Sequence, residues 1–321
     1  MGLMSAAMIL GNALSFFLTG YIFSEAQSEA EIKEALHTVL ICQSCIVGFT
    51  FLFFQATIRE KPLHPPSAVA IAPVSDQTLL VGLKEIFNNR SLLLLTIAFA
   101  SFIGLYFSLG NIMSSLFHPI GFGPMEISSI GLTMLSSGVV GAAFTGWILD
   151  KTAAYRKLLL FLTLFTGISF GLISFEVFHA QKLSTILMYM TMLGSSMISV
   201  LPTSLGLGVE LTFPMQPALV NGGMLVFVQL SGCLQSVFYS TLMDTDPSYY
   251  DSEEALNAAR TRKLKSIMII FGFISLLSFT LVCFVKEDLK RLRFNQGGAQ
   301  GQQQVESKSA AVDDDFKRTV N

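Results

Sequence analysis

Charge is what this chain has least of. Asp, Glu, Lys and Arg make up only 13% of its 321 residues, about half the share of an ordinary soluble domain. A soluble protein of this length would bury a large core, but it would also need a charged surface that these residues cannot supply. The formal net charge is −2, and no basic stripe runs along any segment, which excludes a nucleic-acid binder. The four His are scattered at 37, 64, 118 and 179. No Ser/His/Asp set, paired carboxylate or metal-spaced cluster occurs, so an intramembrane enzyme is set aside and neither a metal nor a cofactor is expected. Cysteine is scarce as well. Cys42 and Cys45 form a CxxC inside an apolar run without a second pair, and Cys233 and Cys283 stand singly. That pattern gives no disulfide framework and reads as packing.

What is present in quantity is apolar. Hydrophobic residues make up 52% of the chain, 28 residues are Phe, and mean hydropathy is +0.60. Runs of about 20 apolar residues, long enough to cross a bilayer, occur near 3–24, 37–57, 92–117, 127–149, 157–178, 183–206, 215–243 and 264–285. The expected fold class is therefore an all-α polytopic membrane protein with about eight transmembrane helices. The first run is not a signal peptide: it lacks a basic leader, and Asn12 and Thr19-Gly20-Tyr21 interrupt it.

Basic residues orient the bundle. Arg59, Lys61, Lys84 and Arg90 lie in 58–91, Lys151, Arg156 and Lys157 in 150–157, and Lys286, Lys290, Arg291 and Arg293 after the last run. Alternation puts all three on one side, taken as cytoplasmic. The opposite side holds an acidic connection at 25–36, a short one near 179–182 and a polar loop at 244–262, where Arg260 and Arg262 are a mild counter-signal. Segment 58–91 divides the chain. Pro62, Pro65, Pro66 and Pro73 make it extended, after which Asp76 is expected to cap a short amphipathic helix. The expected organisation is two helices in 1–57, the linker 58–91, six helices in 92–285, and a disordered Gln/Gly/Ser/Asp-rich tail over 286–321. Asn89-Arg90-Ser91 matches a glycosylation sequon, but it sits against a span on the cytoplasmic side and reads as chance.

The most telling stretch is Gly146-Trp147-Ile148-Leu149-Asp150-Lys151-Thr152-Ala153-Ala154-Tyr155-Arg156-Lys157. It joins two apolar runs through an Asp followed by a basic cluster. Lys and Arg near helix ends favour the cytoplasmic side, and a Gly four residues before the Asp allows two helices to approach closely. A plain positive-inside loop explains the basic residues but not the Gly146–Asp150 spacing. This stretch resembles the loop between helices 8 and 9 of a major facilitator transporter, and 58–91 resembles the connection between that fold's six-helix halves.

A second motif narrows the resemblance. Glu210-Leu211-Thr212-Phe213-Pro214, then Gly222-Gly223-Met224-Leu225 and Gln229, is similar to the helix 10–11 turn of the FLVCR-related transporters, named for the feline leukaemia virus subgroup C receptor. Leu149-Asp150-x-Thr152-x-x-Tyr155-Arg156 and Ile130-Gly131-Leu132-Thr133 fit the same family. The likeness runs from about 90 to 290. It implies a partial major facilitator fold with a complete C-terminal six-helix half and the first four helices of twelve lacking. The chain departs from the pattern at Pro217-Ala218, where the family has Glu-Gly, and no match was found for the polar residue of the family's helix 5.

The resemblance also assigns roles. By register, the family's helix 7 aromatic falls at Phe107 with Tyr106 beside it, and its helix 11 Gln falls at Gln229. Polar side chains within a span tend to face the bundle interior or a cavity. The other reading of Gln229, Asn221, Gln235 and Asn111 is helix–helix hydrogen bonding. The family register favours binding for Gln229, and packing is the favoured reading of the other three; Gln229 and Asn221 join Tyr106 and Phe107 as substrate-binding candidates. Gly146, Asp150, Tyr155, Arg156, Lys157 and Glu210 are carried as gating candidates. Glu210 either pairs with the basic loop or the tail, or stays a solvated acid at a helix end. No titratable residue lies near the middle of a run, Glu176 and His118 standing towards ends, whereas proton-coupled carriers place such groups mid-membrane. The resemblance therefore implies facilitative movement of a small organic solute by alternating access, across the plasma membrane rather than an organelle's. The family's substrates include choline and ethanolamine, haem has been proposed as another, and a distant branch handles a vitamin. The alternative is a truncated or degenerate non-transporting membrane protein or scaffold.

Overall fold

The computed structural model describes residues 2–24, 28–57, 79–179, 182–244 and 252–292. These form eight long helices and one short one: α1 (Gly2–Ser24), α2 (Glu29–Thr57), α3 (Leu79–Asn88), α4 (Arg90–Phe117), α5 (Pro124–Thr152), α6 (Tyr155–His179), α7 (Leu183–Thr212), α8 (Pro217–Met243) and α9 (Glu253–Phe284). Among the described residues, seven of them (α2 and α4–α9) contain stretches long and apolar enough to cross a membrane. Helix α1, the eighth long one, packs along α5. The proline linker, the Asp76 cap and the tail beyond 292 lie outside the described residues, while the short helix expected after the linker is α3.

Local chemistry sets the helix ends and corrects two expected loops. The connection placed at 25–36 is helical from Glu29, because Ser28 and Glu31 form a reciprocal box. The Glu31 amide donates to Ser28 Oγ at 3.3 Å, and the Ser28 amide donates to Glu31 Oε2 at 3.2 Å. The loop placed at 244–262 is helical from Glu253. Ser252 Oγ there accepts from the Ala255 amide at 3.2 Å, and acidic residues favour a helix N-terminus. Asn89 starts α4, its Oδ1 accepting from the Ser91 and Leu92 amides at 3.1 and 3.2 Å. The Asn of the sequon is thus a helix cap. Helix α5 ends at Ala153, in the left-handed region at φ 49°, with its amide donating to Leu149 at 2.8 Å.

Helices α4–α9 pack as one bundle: α4 against α8 and α9, α5 against α7, and α6 against α7 and α9. Small residues set the closest approach, as they do where lipid supplies no hydrophobic drive between helices. A side chain at Gly141 of α5 would strike the Ser195 backbone of α7, and one at Gly194 of α7 would strike the Met134 backbone of α5. Nearer the start of α5, Gly131 receives the ring of Phe16 from α1. Buried hydroxyls tie α6 to its neighbours: Thr166 and Ser196 share a 2.8 Å bond, and Ser275 donates to the Thr163 carbonyl at 3.0 Å. Each is worth about 0.6 kcal/mol.

Two expectations fail here. Gly146 makes no close helix approach, since a Cβ there meets nothing within 4 Å. The tight α5–α7 contact lies over a turn earlier, at Gly141. Cys42 and Cys45 are exposed rather than packed, because α2 buries none of its residues against the others described.

Candidate functional site

A half-open cavity lies between α1, α4 and α5. It has a volume of about 220 Å³ and is lined by Asn12, Ser15 and Phe16 from α1, Tyr106, Phe107, Gly110 and Asn111 from α4, and Met134 and Leu135 from α5. The period of α4 explains the set, since 107 and 111 are one turn apart on a face and 106 flanks it. Tyr106 and Phe107 have ring centroids 5.4 Å apart at 57°. The tilted rings share the cavity wall with the polar residues Asn12, Ser15 and Asn111. None of the lining residues bears a formal charge.

Helix α8 supports this wall from behind. Phe107 packs over Gly232, where a Cβ would stand 3.3 Å from the ring. Asn111 Nδ2 donates to Ser236 Oγ at 3.0 Å, and Ser236 in turn donates to Ser108 Oγ at 3.4 Å. Gln235 Nε2 donates to the Ser101 carbonyl at 3.1 Å and to Ser231 Oγ at 2.8 Å. A polar seam therefore fixes α4 against α8 and sets the direction of Asn111.

Of the four residues expected to bind substrate, the structure brings Tyr106 and Phe107 to this cavity. Gln229 is exposed on α8 and Asn221 lies two turns nearer its start; neither lines the cavity. Sequence reasoning missed the α1 contribution. The available signal was Asn12, the polar break in the first apolar run.

The gating candidates gather at the other end of the bundle, where α5 turns into α6. Tyr155 lies over Gly206 of α7, whose Cβ would stand 2.8 Å from the ring. The charges of Glu210, Asp150, Arg291 and Glu287 all reach its phenol. The Arg156 amide donates to Glu287 Oε1 at 3.2 Å, and its guanidinium donates to the Cys283 carbonyl in the last turn of α9. A cation there satisfies both an orphan carbonyl and the helix dipole. Glu210 is buried and accepts from the Leu292 amide at 3.1 Å, so of its three possible roles it takes the contact with the segment after α9. Asp150 and Lys157 are exposed, and no ion pair joins Asp150 to Arg156 or Lys157 among the described residues. Lys151 sits over the Trp147 ring, 3.9 Å from its centroid.

The family model for the Major Facilitator Superfamily matches residues 1–236. The chain belongs to this superfamily. Within it, the chain is similar to FLVCR transporters. It is 23% identical over 293 residues to the choline/ethanolamine transporter flvcr2a of Danio rerio, covering 89% of this chain and 58% of that protein. It is likewise 23% identical over 303 residues to FLVCR1 of Felis catus, also a choline/ethanolamine transporter, covering 91% of this chain and 50% of the other. An uncharacterized Caenorhabditis elegans protein is 28% identical over 295 residues, 87% of this chain and 56% of its own length. The chain thus spans about half the length of these relatives. Among solved structures, a bacterial homolog of the human lysosomal transporter Spinster, inward-facing and unoccupied, aligns with a TM-score of 0.59 at 14% identity. The match covers 82% of this chain and 61% of that one, and it shows the fold of a major facilitator.

Proposed function

We propose that this chain forms part of a facilitator that moves a small organic solute, an ethanolamine- or choline-like cation, across the plasma membrane by alternating access. The observation that carries this is the cavity at Tyr106 and Phe107. Its rings offer π faces, each worth about 0.5–2 kcal/mol to a desolvated cation, and the amides of Asn12 and Asn111 offer acceptors and donors for a hydroxyl or amine. A volume of about 220 Å³ is below the usual range for drug-sized ligands, about 300–1,000 Å³. It suits a head group better than a porphyrin, which favours choline or ethanolamine over haem. The names of the choline/ethanolamine transporters support the same reading.

Gating is proposed for the opposite end. Tyr155, Arg156 and Glu210 connect the starts and ends of α6, α7 and α9 through few polar contacts, which is what a bistable interface requires. Gly146, Asp150 and Lys157 lie on the exposed side of the same turn, where they can meet a second half of the fold.

The test is uptake of labelled choline, with haem in parallel, by cells expressing the chain, alongside choline binding to the purified protein in nanodiscs. Choline binding and uptake that both fall in Phe107→Leu support the assignment. Haem uptake without choline uptake would overturn the substrate class. Neither uptake nor binding would leave the non-transporting reading in its place.

A further inference from the structure

A second cavity, of about 620 Å³, opens at the end of the bundle opposite the Asp150 turn, between the ends of α4 and α8 and the start of α9. The polar groups lining it include Ser114, Ser115, His118, Ser240, Asp244 and Arg260. Its character differs from that of the central cavity, because it carries formal charge of both signs. Lys263 donates to the backbone carbonyl of Asp244, which fixes the end of α8 against α9. Among the described residues neither Asp244 nor Arg260 forms an ion pair.

We propose that this cavity binds a small zwitterionic group, one carrying an anionic phosphate or carboxylate and a cationic amine. Asp244 is exposed and Arg260 half-buried, so a lone cation drawn to Asp244 would meet the like charge of Arg260, and a lone anion drawn to Arg260 the like charge of Asp244. Like charges placed side by side work against binding. A ligand with both signs satisfies both side chains. The guanidinium suits a bidentate grip on an oxyanion, and the Ser114, Ser115 and Ser240 hydroxyls with the His118 imidazole can donate to its remaining oxygens. The volume lies inside the range of small-molecule sites. Because the cavity stands at the end of the spans, the group can arrive as a free solute or as the head group of a zwitterionic lipid. Occupancy here is independent of the solute that the central cavity takes.

Phosphocholine is the probe, titrated by calorimetry into the full chain in phosphatidylglycerol nanodiscs, with choline and inorganic phosphate as single-charge controls. Phosphocholine is expected to bind at least ten-fold more tightly than either control. Arg260→Gln and Asp244→Asn should each weaken it at least ten-fold at unchanged helicity and elution volume. Arg260→Lys, which keeps the charge, should fold and bind within about three-fold of the parent. Repeating the titration in phosphatidylcholine nanodiscs separates the sources: loss of binding there identifies a lipid head group, and unchanged binding a free solute. No phosphocholine binding in either disc, equal binding of a control, or binding that survives both charge-removing variants would overturn the assignment.

Discussion

The Leu292 amide donates to the buried Glu210 carboxylate at 3.1 Å, so the last turn of α7 holds the segment that leaves α9. A hydrogen bond to a charged group contributes about 1.5–3 kcal/mol. Arg156 holds the same segment from α6, through Glu287 and the Cys283 carbonyl. Glu210→Ala should therefore release residues 286–292 while the α5–α7 contact stays intact. Amide hydrogen exchange is the measurement: faster exchange after Phe284 with unchanged protection in α5 is the expected result. Uniformly faster exchange would instead mean that Glu210 supports the whole bundle.

The α5–α7 seam gives a paired prediction. Gly141→Leu forces a side chain into the Ser195 backbone, and overpacking of this kind costs about 1–3 kcal/mol. Gly146→Ala, one and a half turns further along the same helix, meets nothing within 4 Å and exchanges a poor helix former for the best one. Thermal unfolding in detergent should drop clearly for the first variant and stay level or rise for the second. A drop at Gly146 equal to that at Gly141 would place a helix contact there after all.

These two glycines also mark how far the sequence could be read. Apolar run length placed every long helix, because spanning a bilayer demands about 20 apolar residues whatever packs around them. Cap chemistry is visible too, yet Ser28-x-x-Glu31 and Ser252 stand in charged stretches that mark the end of a span without marking the end of its helix. Partner choice was not legible. Gly141 and Gly146 look alike in the sequence, and only the crossing point of α5 and α7 decides which one is tight. The same holds for Gln229, whose family register suggested a binding role although its place on α8 leaves it off the cavity wall. Asn12 is legible as an interruption, but nothing local reveals that it lines the same cavity as Phe107.

Phe107 should act through its π face rather than its volume. Phe107→Leu keeps an apolar side chain over Gly232 and removes the ring. A cation–π contribution of about 0.5–2 kcal/mol corresponds to roughly a 2- to 30-fold loss of choline affinity, at a thermal midpoint close to the parent's. A Leu variant that binds choline as tightly as the parent would move the cation elsewhere.

Asn111 tests whether the cavity's polar side touches solute or only braces α8. Its Nδ2 donates to Ser236 Oγ at 3.0 Å, while the residue itself lines the cavity. Ser236→Ala removes the brace alone, and an interhelical bond of this kind is worth about 0.6 kcal/mol, so choline affinity should change by less than about three-fold. Asn111→Ala removes the brace and the amide together. If the amide meets the hydroxyl or amine of the solute, this variant should lose clearly more affinity than Ser236→Ala, and Ser236→Ala added to it should change nothing further. Equal losses in the two single variants would assign Asn111 to the α4–α8 seam and leave solute recognition to the rings and to Asn12.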